Sequence, residues 1–206
     1  MRHCFKIIFI CLFVTLSALF ADANIVEVSQ VAAAKLPYYI NRLPQDMLKE
    51  IGVKSVTQLE NATLGKPCQL YSITPSTLEN YNLTNSVDDI LRPTSMWYIP
   101  VFHDGKPIAM LIVDKVKDKW KAVSFGYFTL ASAWNKVTQQ WPDEIFGTKL
   151  IVMYQAKTYL FSVSKNAEQS LTPLKFEATS STKTTGDKIS LTSLSDGIIW
   201  LKKRIN

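Results

Sequence analysis

Cys68 and His103 are the side chains of this 206-residue chain whose types first suggest chemistry. Beyond residue 23 they are its sole thiol and its sole imidazole. Such a pair is the smallest kit for a cysteine nucleophile: the ring lowers the thiol pKa, and a third polar group orients the ring. Asn80, Asn82, Asn85 and Asp104 are the candidates for that third group. The surroundings argue the other way. Gly65-Lys66-Pro67-Cys68-Gln69-Leu70 reads as a turn leading into a strand, no helix begins at Cys68 to activate it, and His103 falls at a hairpin tip. A lone cysteine in such a setting is usually a small core hydrophobe.

Metal chemistry has less to work with. Zinc would need carboxylates to complete its ligands, and Asp88-Asp89 and Asp143-Glu144 lack the alternating oxygen spacing of a calcium loop. No residue spacing selects a carboxylate pair for glycoside hydrolysis. GxSxG, Walker A and GxGxxG sequences are absent. The expectation is a chain without metal or cofactor.

Binding chemistry is better represented. Trp97 and Tyr98 alternate on a predicted strand, so one of them is expected to face away from the core. Pro100 lacks an amide hydrogen, which marks that strand as an edge or as bulged. An open edge can accept a partner's strand, so Trp97 and Tyr98 are the candidate binding residues for a protein or peptide. Trp134 and Trp141 fall on a helical stripe and read as core.

The elements that would carry these residues follow from periodicity. A helix is predicted over 26–36, ended by Pro37, and a second behind Pro44 with Gly52 as its left-handed cap. Ser55 to Gln58 and Ser76 to Glu79 read as capping boxes opening short turns. A strand follows at 68–73. Residues 95–102, 107–113 and 120–125 form a three-strand meander, its first turn marked by Asp104-Gly105. Leu130, Ala131, Trp134, Val137 and Trp141 predict a helix capped by Thr129 and stopped before Pro142. Strands at 149–155, 158–164 and 171–176 follow, with a mobile loop at 179–188. Ile151 and Met153 alternate with Val152 and Tyr154, so both sheet faces are expected to be covered. The fold class is α+β: an antiparallel β-meander sheet with a helix packed across one face (β-β-β-α-β-β), preceded by short N-terminal helices.

Trp97-Tyr98-Ile99-Pro100-Val101, Gly105-Lys106-Pro107, Leu111-Ile112-Val113-Asp114 and Lys119-Trp120-Lys121-Ala122-Val123 together resemble small secreted bacterial proteins. The same stretch, within residues 66–165, is similar to PepSY and cystatin-like α+β modules. The resemblance implies an extracytoplasmic interaction or inhibitor-like module and transfers no site residues.

Residues 1–23 have the three parts of a secretory signal peptide. Arg2 and Lys6 are cationic, 7–20 is apolar apart from Thr15 and Ser17, and Ala21-Asp22-Ala23 suits cleavage. The apolar run is shorter than the ~20 residues of a membrane span. Residues 24–206 are expected to form one α+β domain. Removing Arg2, Lys6 and Asp22 from 23 basic and 17 acidic residues leaves 21 and 16, a net charge of +5. The cations form no dense block before Lys202-Lys203-Arg204, so no nucleic-acid partner is expected. With Cys68 alone no internal disulfide can form, which favours a bacterial periplasmic or extracellular protein over an animal secreted one. Asn61-Ala62-Thr63 and Asn82-Leu83-Thr84 match the glycosylation acceptor pattern, which matters only in a eukaryotic secretory pathway. Residues 198–204 are expected to end a helix capped by Ser195 or Asp196, packing Ile199 and Trp200 inward, and are too short for a membrane anchor. The sequence therefore reads as an exported, non-catalytic binding or inhibitor-like module. The alternatives are a thiol-dependent hydrolase using Cys68 and His103, and an envelope-associated structural protein.

Overall fold

A computed structural model of the chain describes residues 24–82, 86–165, 168–174 and 189–205. The signal-like segment 1–23, the stretch 179–188 and part of the second glycosylation pattern lie outside the described residues.

Helix α1 spans 24–40 and turns Val28, Ala32, Leu36 and Ile40 inward, four residues apart. It runs through Pro37 rather than stopping there. Pro37 and Ala33, whose carbonyl loses its partner, both lie on the solvent side. The penalty of about 3 kcal/mol for an interior proline is offset by burying Leu36 and Ile40 on either side of it, at about 1.5–3 kcal/mol each. Helix α2 (Gln45–Glu50) follows, with Gly52 at φ +78° after it, and then a 3-10 turn (Val56–Leu59). The Gln58 side chain accepts from the Ser55 amide at 3.3 Å, as the capping-box pattern predicts.

The strands are β1 (Thr63–Leu64), β2 (Cys68–Ser72), β3 (Arg92–His103), β4 (Lys106–Val116), β5 (Lys119–Gly126), β6 (Lys149–Met153), β7 (Thr158–Lys165) and β8 (Glu168–Pro173). Between β2 and β3 lie α3 (Pro75–Glu79) and α4 (Val87–Ile90). The cap of α3 is Thr74 with Pro75 behind it, two residues before the predicted box at Ser76. Helices α5 (Phe128–Gln140) and α6 (Asp143–Phe146) join β5 to β6, and α7 (Leu194–Ile205) comes last. Helix α5 starts behind Tyr127 (φ 58°, left-handed) rather than Thr129.

All eight strands form one sheet of order β5-β4-β3-β2-β6-β7-β8, with β1 on β3 beyond the end of β2. The sheet is mixed, not purely antiparallel. Strand β2 runs parallel to β6 (Leu70 beside Leu150), and this seam joins two antiparallel halves. A parallel neighbour requires a long crossover, and the chain from β2 to β6 supplies one.

Helices cover both faces, not one. Tyr98, Met110, Ile112, Leu150, Val152 and Phe161 point to one face and pack under Leu130, Trp134, Val137 and Trp141 of α5. The opposite face has two cores. Ile99, Val101, Leu111 and Val113 pack under α1. Ile151, Met153 and Leu160 pack under α3, α4 and α7. In α7 it is Ile198 and Leu201 that are buried, Ile199 is half exposed, and the Ser193 hydroxyl, not Ser195 or Asp196, accepts from an amide of the first turn.

Candidate functional site

Cys68 opens β2, partly buried, with its thiol donating to the Tyr98 carbonyl at 3.2 Å. Burial pushes the thiol up to about 12, and the charge of Asp143 adds to the shift. His103 ends β3, where its Nε2 is 3.4 Å from Asp104 and its Nδ1 finds no partner among the described residues. Cys68 is paired with Tyr98, five residues along the strand from His103. At about 3.4 Å per residue that is roughly 17 Å, with Tyr98 and His103 alternating onto different faces. The fold does not bring the thiol and the imidazole together.

Trp97 and Tyr98 do alternate, but both are covered: 8 % and 3 % exposed respectively. Their strand is interior, flanked by β4 on one side and by β1 and β2 on the other. The edge inferred from Pro100 is therefore not there. The Pro100 carbonyl accepts from the Gly65 amide at 2.7 Å, so its nitrogen faces the same interruption between β1 and β2. The missing hydrogen falls where no ladder needs it, and a bulge lies next to it between Val101 and Phe102. Tyr98 instead meets Tyr159, hydroxyl to hydroxyl at 3.1 Å, and burial raises both pKa values.

A cleft of about 160 Å³ opens beside Cys68, between Pro100 and Phe102 of β3 and Trp134 and Thr138 of α5. Lys66 stands at its mouth and bridges Asp143 at 3.1 Å and Glu144 at 2.7 Å. The hydrogen bond to Glu144 leads in raising the Lys66 pKa, and Lys66 lowers that of Glu144. All three are more than half exposed or close to it, so the bridge is weak. It ties α6 to the β1–β2 turn and aims no free charge into the cleft.

The two ends of the sheet differ. Strand β8 is closed off by the segment before α7: Leu171 donates to the Thr192 carbonyl at 3.2 Å, and Ser170 bridges Ser193. Strand β5 pairs with β4 on its inner side, and among the described residues no strand pairs with its outer side. Along it Lys119 and Lys121 are exposed on the α5 side, Val123 is the exposed extra residue of a bulge, and Trp120 and Ala122 pack towards α1. The Tyr39 ring of α1 stacks on Phe125 at 6.0 Å, and its hydroxyl donates to the Ala122 carbonyl at 2.9 Å. Lys115 lies 5.7 Å over the Trp120 ring. A bulge between Ala122 and Ser124 ends the regular stretch. Sequence reasoning missed this edge because it sought one at Pro100. The alternation of Lys119, Lys121 and Val123 with Trp120 and Ala122 was the available signal.

Among the described residues no helix is long and apolar enough to cross a membrane, and no group of metal-ligating side chains forms. Comparison of the chain with protein-family models, with curated proteins and with solved structures returned no match.

Proposed function

We propose that this chain is an exported, non-catalytic binding or inhibitor-like module that captures an extended segment of a partner protein along the outer side of β5. The observation that carries the reading is the outer side of β5, on which no strand pairs among the described residues, at the end of an otherwise covered sheet. Strand addition draws affinity from main-chain hydrogen bonds and specificity from alternate side chains. Strand β5 offers alternating side chains over Lys119–Ala122 and, apart from the Ala122 carbonyl that the Tyr39 hydroxyl takes, main-chain groups for pairing. The raised thiol pKa and the separation of Cys68 from His103 turn the reading away from thiol chemistry. It stands on the sheet edge rather than on the PepSY and cystatin-like resemblance. Export rests on the pattern of residues 1–23, and N-terminal sequencing of the secreted product should begin at Asn24.

The test is selection of binders from a random peptide display library, followed by amide hydrogen exchange of the complex. Added protection confined to residues 119–126 is the expected result. Binders that protect another surface and leave these amides unchanged refute the reading.

A further inference from the structure

We propose, building on the strand-addition reading, that the segment taken up by β5 alternates acidic and apolar residues, an acid-apolar-acid triplet at its centre. The two sides of β5 set this chemistry. Lys119 and Lys121, two residues apart, project from the α5 side and both are exposed. Asp114 of β4 stands directly across from Lys121, whereas Lys119 stands across from Val116 and has no opposite charge there. Between and beyond them Trp120 and Ala122 point to the other side, where Tyr39 and Phe125 continue an apolar wall. A strand laid against β5 inherits the same alternation, since its successive side chains also point to opposite faces. Residues beside the two lysines gain from carboxylates, because opposite charges across a strand pair attract and like charges repel. Residues beside Trp120 and Ala122 gain from being apolar.

The length of the recognition stretch follows from the bulge. Regular pairing of β5 covers Lys119 to Ala122 before the register shifts ahead of Ser124. A bulge bends the strand and interrupts its ladder, so a partner pairs in register over about four residues. Two carboxylates separated by one apolar residue fill that length. The same lysines disfavour a second copy of this chain as the occupant. Two β5 strands set edge to edge bring lysine against lysine, the device by which natural sheet edges avoid self-association.

The experiment uses the signal-free protein and synthetic peptides of fixed composition, with affinity read by isothermal titration. The probes are an alternating Glu-Val peptide, the same residues with all Glu at one end, an alternating Lys-Val peptide, and the Glu-Val peptide N-methylated at every second amide. The Glu-Val peptide is expected to bind tightest. Its affinity should fall about tenfold with Lys119→Glu and Lys121→Glu combined, and that variant should prefer the Lys-Val peptide. Lys119→Gln with Lys121→Gln serves as a second, milder variant. Equal affinity for the Glu-Val and Lys-Val peptides, or for the alternating and clustered Glu peptides, overturns the inference. If N-methylation leaves affinity unchanged, strand addition itself fails. Binding of none of the peptides overturns both.

Discussion

Removing the Cys68 thiol tests whether this chain keeps its one cysteine beyond residue 23 inert. The thiol ionises at about 12 in the folded protein against an ordinary 9.0. Three units correspond to about a thousandfold less thiolate near pH 8, and only the thiolate is alkylated. Iodoacetamide labelling of the folded protein should therefore run about three orders of magnitude slower than in denaturant. The same shift makes a stability statement. Between pH 9 and pH 12 the unfolded chain gives up the Cys68 proton while the folded chain keeps it, so stability falls as pH rises through that window. The fall amounts to a few kcal/mol, on the order of 1 per pH unit, across that window. Tyr98 and Lys66, also raised, push in the same direction. Comparing wild type with Cys68→Ala by urea denaturation cancels their share. The stability advantage of the wild type should shrink steadily, by on the order of 1 kcal/mol per pH unit, as pH rises above 9. Labelling of the folded protein at a rate close to that of the denatured one, or an advantage independent of pH, would refute the reasoning.

Two further outcomes follow from packing. A Cβ added at Gly197 would sit 2.2 Å from the Leu171 carbonyl, so Gly197→Ala should force α7 off β8 and cost about 3 kcal/mol in chemical denaturation. A gain in stability, as the better helix propensity of alanine alone would give, contradicts that contact. Trp141 is 9 % exposed and stacks on Phe161 at 5.6 Å, so Trp141→Ala should cost about 3–5 kcal/mol. Trp200→Ala, on the outer flank of α7, should cost clearly less, and equal losses measured by differential scanning calorimetry would count against the assigned cores.

Local signals in the sequence reached the local elements. The helical spacing of Leu130, Ala131, Trp134, Val137 and Trp141 marks α5, and Asp104-Gly105 marks the β3–β4 turn, where both take positive φ. Ile151 and Met153 do part company with Val152, as the alternation implies, but Tyr154 falls beyond the end of β6 and is exposed rather than covered. Contacts between distant segments were not legible. Pro100 signals a gap in a ladder, but the gap belongs to β1 and β2, some 35 residues upstream at Gly65. No periodicity in residues 92–103 says that β2 will lie beside them. Trp97 and Tyr98 were legible as alternating, but not as doubly covered, because α1 and α5 come from opposite sides of the meander in sequence. Lys66 meets Asp143 and Glu144 across 77 and 78 positions, which no local pattern encodes.

The parallel seam between β2 and β6 also has a consequence in time. The hairpins close over a few residues, His103 against Lys106 and Lys165 against Glu168, whereas the seam sets Leu70 beside Leu150, 80 positions apart. Closing the longer loop costs roughly 3 kcal/mol more entropy, so the hairpins form first and the seam afterwards. Until it closes, β2 and β6 each present a bare side, and the nascent sheet has more open edges than the finished one. The chain is then most prone to associate with its own kind, before the lysines of β5 guard the edge that remains. Pulse-labelled refolding should show the Leu70 and Leu150 amides protected after those of Leu111 and Ile112, and the reverse order would exclude this sequence of events.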